Sequence, residues 1–202
     1  MLGKTHLAVG TATTLLILQP HSMKELILGV TIGGLGALIP DIDVNSSTSH
    51  KEANRIVAYS FIMFFLCVIA DWIFKAGIYT SLKRNHNAFL IVIGLILFIG
   101  ICAFGKETPH RSFMHSLLCL VLLSCCLSLI YAKMVPYFVV GFLSHIIVDL
   151  FNFKRVMLLY PYKKGVAFKL FHANGYFNRI FFTAGSIASI SLIAIWGYEI
   201  IH

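Results

Sequence analysis

Long apolar runs recur from one end of the chain to the other, and the charged residues fall almost wholly between them. Such runs cannot leave backbone N–H and C=O groups unpaired in hydrocarbon, so they must coil into helices. Of the 202 residues, 58% are hydrophobic and 12% charged, whereas a soluble domain carries about 25% charged residues. Mean hydropathy is +0.86. These values exclude a soluble domain with a single anchor. They predict an all-α, polytopic integral membrane bundle of about seven hydrophobic helices, some short or tilted, forming one membrane-embedded domain over residues 1–202.

The apolar segments run over 5–18, 24–39, 54–74, 88–104, 113–132, 135–151 and 177–201. The first two are short and rich in Gly, Ala and Thr, which permits close helix packing. A polar, aromatic and basic stretch over 152–175 separates the last two. The first run follows Lys4 as a signal peptide would. Gln19-Pro20-His21 offers no small-residue cleavage site, so the run reads as a retained helix. The cysteines Cys67, Cys102, Cys119, Cys125 and Cys126 all lie in apolar runs without a CxxC pair, which reads as small buried hydrophobes.

The net charge of +8 would suggest nucleic acid in a soluble protein. Here the cations sit between apolar runs, where they set topology and meet lipid head groups, so no nucleic-acid partner is expected. With seven crossings, the side holding the N-terminus carries eleven cations: Lys4, Lys51, Arg55, Lys106, Arg111, Lys154, Arg155, Lys163, Lys164, Lys169 and Arg179. The other side carries five: Lys24, Lys75, Lys83, Arg84 and Lys133. The positive-inside rule therefore predicts a multi-pass plasma-membrane protein with a cytoplasmic N-terminus.

That topology, drawn from Lys and Arg alone, gathers His6, Asp41, Asp43, His110, His115, His145 and Asp149 at one membrane face. His145 and Asp149 are four residues apart on one helical face, so an imidazole and a carboxylate can reach the same ion. Asp41 and Asp43 follow Pro40, which stops a helix, and offer two hard oxygen ligands or an ordinary capping loop. His110 and His115 flank a helix start, with Arg111 beside them as a grip for an anion. Asp71 and Lys75 read as a surface pair, while His21, His86 and His202 fall in loops or at the end. His50 and His172 are weaker candidates than the seven named, and the Asn45-Ser46-Ser47 sequon would face the cytoplasm.

The ordered set Thr5-His6-Leu7, Leu38-Ile39-Pro40-Asp41-Ile42-Asp43, His110-Arg111-Ser112-Phe113-Met114-His115-Ser116, Gly141 to Asp149 and Leu158-Leu159-Tyr160-Pro161 resembles the YdjM-like family. Its members are described as LexA-regulated, membrane-bound predicted metal-dependent hydrolases of bacterial and archaeal inner membranes. The resemblance implies a metal-dependent hydrolase and places the seven His and Asp residues on the family's polar motif positions. Two departures stand out. Val44 replaces a His common after the Asp-x-Asp, and Asn152-Phe153-Lys154-Arg155 stands where a Thr-Pro and a Gly are frequent.

Mixed nitrogen and oxygen ligands suit zinc or manganese, with magnesium possible. A site at head-group depth predicts a membrane lipid or lipid-linked phosphate ester as substrate. Arg111, Lys154 and Arg155 would hold the anion, and Asp41 or Asp43 would serve as ligand or general base. The lipid phosphatases that share a His-x3-Asp also need Pro-Ser-Gly-His, and membrane metalloproteases need His-Glu-x-x-His; neither occurs here. The alternatives are a non-enzymatic metal-binding scaffold or a transporter. Clustering at one face argues against a midplane path.

Overall fold

The computed structural model describes residues 2–43, 50–85, 88–172 and 175–202. Val44, the Asn45-Ser46-Ser47 sequon, His86 and the side chain of His50 lie outside the described residues. The architecture is helical throughout: α1 (Gly3–Leu18), α2 (Met23–Leu38), α3 (His50–Phe74), α4 (Ile78–Asn85), α5 (Ala88–Lys106), α6 (Leu117–Tyr131), α7 (Val135–Leu150) and α8 (Tyr176–Ile201). Short 3-10 turns follow α2 (Ile39–Asp43), precede α6 (Phe113–His115) and join α6 to α7 (Ala132–Met134). Among the described residues, Met23–Asp43, Ala88–Lys106, Leu117–Leu150 and Tyr176–Ile201 are long and apolar enough to cross a membrane.

Two boundaries differ from the sequence reading. The helix expected from Phe113 begins only at Leu117, because the Ser116 hydroxyl accepts the Cys119 N–H at 3.1 Å and caps it. His115 therefore sits in the tighter turn before the helix, not within it. The amphipathic helix α4, absent from a reading based on apolar runs, is capped by Asp71, which accepts the N–H groups of Ile78 and Tyr79 at 2.8 and 2.9 Å. Asp71 is thus a capping group, in place of the surface pair expected with Lys75. Of the cysteines, Cys125 is exposed on the outer face of α6 while the other four are buried.

Neighbouring residues reveal the direction of each helix. Gly10, Thr14 and Leu15 of α1 lie beside Ala37, Gly33 and Gly29 of α2, so the two run antiparallel. Gly33 faces Gly141, and the Ala37 carbonyl meets His145, so α2 and α7 run parallel. Met63 of α3 lies beside Gly34 and Cys67 near Thr31, so α3 returns along α2. Gly94 of α5 faces the Cys126 backbone and Gly105 faces Met114, which makes α5 and α6 an antiparallel pair. Thr5 and Val9 lie beside Asn178 and Gly185, so α1 and α8 run parallel. The helices α1, α3, α6 and α8 therefore start at one end of the bundle, and α2, α5 and α7 finish there.

Helix α2 is the buried centre, wrapped by α1, α3 and α7, whereas α5 and α8 turn Ile, Leu and Phe side chains outward. The 16 residues of α1 rise only about 24 Å, short of a hydrocarbon core of about 30 Å, so it sits inside the bundle and not as a free-standing span. A Cβ at Gly141 would overlap the Gly33 carbonyl oxygen, and one at Gly36 would overlap that of Phe138. Both are backbone atoms that cannot rotate away. Gly141→Ala should therefore cost roughly 1–3 kcal/mol of stability by overpacking, read as a lower thermal unfolding midpoint in detergent. Gly100→Ala, inside α5 with nothing within 4 Å of its added methyl, should not lower the midpoint, since alanine is the better helix former, and serves as the control.

Candidate metal centre

Three short pieces of chain deliver the polar side chains to one end of the bundle. The turn after α2 brings Asp41 and Asp43, the segment before α6 brings His110, Arg111 and His115, and the last two turns of α7 bring His145 and Asp149. One ligand atom each of Asp41, His115, His145 and Asp149 lies within 4.8 Å of the others, and all four residues are buried. A second group, Asp43, His110 and His115, shares His115 with the first.

The geometry assigns the tautomers. His145 Nδ1 lies 2.7 Å from the Ala37 carbonyl oxygen and must donate to it. That leaves the Nε2 lone pair directed into the centre, 3.2 Å from His115 Nε2 and 3.5 Å from Asp41 Oδ1. His115 Nε2 lies 3.6 Å from Asp41 Oδ1 and 3.5 Å from Asp149 Oδ2, while its Nδ1 faces Asp43 Oδ2 at 3.5 Å. A proton on the Asp43 side puts a second Nε2 lone pair opposite that of His145. Two facing lone pairs between carboxylates require a positive species. Among the described residues, Asp41, Asp43 and Asp149 also outnumber the one buried guanidinium, that of Arg111. Burying that excess of negative charge is costly unless a cation joins it. The donor set therefore fits a divalent metal ion.

Burial disfavours the charged form of His115, but the carboxylates of Asp149, Asp41 and Asp43 outweigh it and hold its pKa well above the usual value. A proton and a metal ion thus compete for the same nitrogen.

Beside these four donors lie the other expected ligands, His6, Asp43 and His110. His6 of α1 stacks on His145 with ring centroids 3.7 Å apart, and its Nε2 lies 3.4 Å from Asp149 Oδ1. Neither His6 ring nitrogen makes a hydrogen bond among the described residues. His110 is partly exposed at 30%, and its Nδ1 lies 2.7 Å from Asp43 Oδ1. The other Asp43 oxygen accepts the Arg111 backbone N–H at 3.1 Å.

Arg111 differs from its expected role. Its guanidinium does not reach outward for an anion: Nη2 pairs with Asp149 Oδ2 at 2.7 Å and Nη1 donates to the Lys154 carbonyl at 2.6 Å. Its backbone takes a left-handed φ of 66°, and its carbonyl accepts the Met157 N–H at 3.0 Å. Arg111 is a buried brace that orients Asp149. Of the other expected anion contacts, Lys154 serves through its carbonyl, and Arg155 lies in a separate cleft with Lys164 and Lys169. His172 stacks on Phe153 at 4.4 Å and takes no part in the centre.

Two supporting residues escaped the sequence reading. Asn152 Nδ2 donates to Asp149 Oδ1 at 3.0 Å, three residues on, a spacing that could have signalled it. Asn178 of α8 accepts from the Thr5 hydroxyl at 3.0 Å and the Leu2 N–H at 3.3 Å, anchoring the start of α1 that carries His6. No local pattern links residues so far apart in the chain.

A family model described as YdjM inner membrane protein matches residues 1–200. No curated protein and no solved structure shows significant similarity.

Elemental analysis of protein purified without chelators should find close to one divalent ion per chain, lost in His145→Ala and in Asp149→Ala. Arg111→Ala should keep the ion but weaken its binding about 10–100-fold, the usual effect of removing an outer support. Competition with a chelating dye measures it, and unchanged affinity would remove Arg111 from its bracing role.

Proposed function

Because the chain belongs to the family of YdjM inner membrane proteins, we propose that it is a membrane-bound, metal-dependent hydrolase that cleaves a phosphate ester of a lipid-like substrate at the cytoplasmic membrane surface. The observation that carries this reading is the convergence of Asp41, His115, His145 and Asp149 at one end of a membrane bundle. Ionisable groups at membrane depth are expensive and mark functional sites. Zinc or manganese, or magnesium, held by these residues supplies Lewis acidity toward water and a phosphoryl oxygen.

The chain's own groups divide the remaining work. Asp41 belongs to the inner donor set, whereas Asp43 acts through its two imidazole neighbours. It holds His115 Nδ1 and His110 Nδ1, which leaves His110 Nε2 as the atom placed to take and return a proton at the partly exposed edge. Arg111, Asn152 and the stacked His6 keep Asp149 and His145 in register. Burial of the centre excludes bulk water from competing with the phosphate.

A second reading, a metal-binding scaffold, is favoured by one observation: His115 and His145 are both 0% exposed, as closed structural sites are. A transporter fits less well, since the donors lie at an end of the bundle and not at its middle.

Turnover decides between enzyme and scaffold. Metal-loaded protein in mild detergent should hydrolyse a member of a panel of phospholipids, isoprenoid phosphates and generic phosphate esters. Asp41→Ala should lower the rate by orders of magnitude. His110→Gln should keep the metal and lose about 10²–10⁴-fold in rate, as expected for a proton-transfer group. Absence of turnover on the whole panel by metal-replete protein would leave the scaffold.

The cytoplasmic placement rests on the bias of eleven cations against five. Reporter fusions at His202 should give the periplasmic signal, and a cytoplasmic signal would invert the orientation.

A further inference from the structure

The segment joining α7 to α8 carries a feature that the metal centre does not use. Arg155, Lys164 and Lys169 line one open cleft of about 480 Å³, with Gly165, Val166 and Ala167 completing its wall. Paired backbone bonds between Val156 and Val166, at 2.8 and 2.9 Å, hold its two sides together. Residues 152–175 include five Lys or Arg and no Asp or Glu, so no carboxylate of the segment neutralises the cleft.

Beside it the chain runs back along the end of α7. The N–H groups of Phe168 and Leu170 bond to the carbonyls of Leu150 and Phe151 at 2.7 and 2.9 Å. Three apolar side chains at alternate positions, Val166, Phe168 and Leu170, form a row exposed at 46, 57 and 62%, with the left-handed φ of 57° at Lys169 turning the chain between the last two. Such a row is costly in water. This one is tied to the end of α7 and leads within a few residues into α8, both parts of stretches long enough to cross a membrane. Its depth is therefore that of the head groups, where cations and apolar side chains side by side match the two halves of an anionic amphiphile.

We propose that this cleft binds the phosphate head group of an anionic membrane lipid, with Val166, Phe168 and Leu170 against its acyl chains. The inference deepens the hydrolase reading by naming the head-group class, and rests on it only in making the bound lipid a substrate. The segment is also joined to the metal centre, because Arg111 bonds to the Lys154 carbonyl and the Met157 N–H as well as to Asp149.

Native mass spectrometry of the full chain in detergent tests it, with phosphatidylglycerol, phosphatidylcholine and inorganic phosphate as probes. Phosphatidylglycerol adducts should outlast phosphatidylcholine adducts. In the triple variant Arg155→Gln/Lys164→Gln/Lys169→Gln their affinity should fall about tenfold or more, since each cation near an anionic surface contributes roughly a factor of five, while phosphatidylcholine binding stays unchanged. Phe168→Ser/Leu170→Ser should weaken the lipid without altering inorganic phosphate binding. Equal phosphatidylglycerol binding by the triple variant and the wild type overturns the proposal. So does inorganic phosphate that displaces the lipid equally well with and without the apolar row, which makes the cleft a free-phosphate site. Metal content measured on the same samples confirms that each variant is folded. Turnover of the panel separates the fate of the hydrolase reading from that of the lipid cleft.

Discussion

The close approach of α2 and α7 is the constraint on which the rest of this structure depends. Gly33 and Gly141 let the two backbones meet with no side chain between them. In hydrocarbon, apolar burial gives helices little reason to associate, so packing at small residues and interhelical hydrogen bonds must do it. One turn farther along, the same approach brings the Ala37 carbonyl to 2.7 Å from His145 Nδ1. That single bond selects the tautomer of His145 and aims its other nitrogen at Asp41 and His115. Because α2 and α7 run parallel, both deliver their C-terminal ends, and therefore Asp41, Asp43, His145 and Asp149, to the same end of the bundle.

Charge is organised around that contact. Asp149 receives Arg111 and Asn152, with His6, His115 and His145 within 4 Å. A buried carboxylate without such partners would not stay ionised. Arg111 neutralises part of the negative charge, and the excess that remains is what suits the centre to a divalent ion. The same guanidinium ties Asp149 to the basic segment between α7 and α8. The candidate metal centre and the basic cleft are therefore linked through Arg111 and the Lys154 backbone, despite the difference in their exposure.

Much of this was legible in the sequence. The seven apolar segments correspond to α1, α2, α3, α5, α6, α7 and α8, and they alternate in direction as successive crossings must. The shared face of His145 and Asp149 followed from helical spacing alone. Other elements were not legible. Helix α4 carries its signal in amphipathicity and in a cap from Asp71, neither of which raises hydropathy. The onset of α6 lies later than the apolar run predicts, because Ser116 stops the turn before it from continuing as helix. A cation at a helix start has the chemistry of an anion grip, and that is all the local sequence predicts for Arg111. Its left-handed backbone and its two inward bonds are set by partners from distant segments.

The sequence by itself determined that this is a helical membrane protein, and which end of each helix carries its polar residues. Those properties follow from local rules: backbone groups must pair within a segment in hydrocarbon, and side-chain period is set by the helix. Only the tertiary structure decided which polar residues face one another. It placed Asp41 with His115, His145 and Asp149, and Asp43 with His110 and His115, although two residues apart they are chemically identical. It also turned Arg111 inward and left Arg155, Lys164 and Lys169 around a cleft at the surface. The physical reason is that hydrogen bonding and Coulomb attraction act through space over a few ångströms, between groups that the chain itself holds far apart, 173 residues in the case of Thr5 and Asn178.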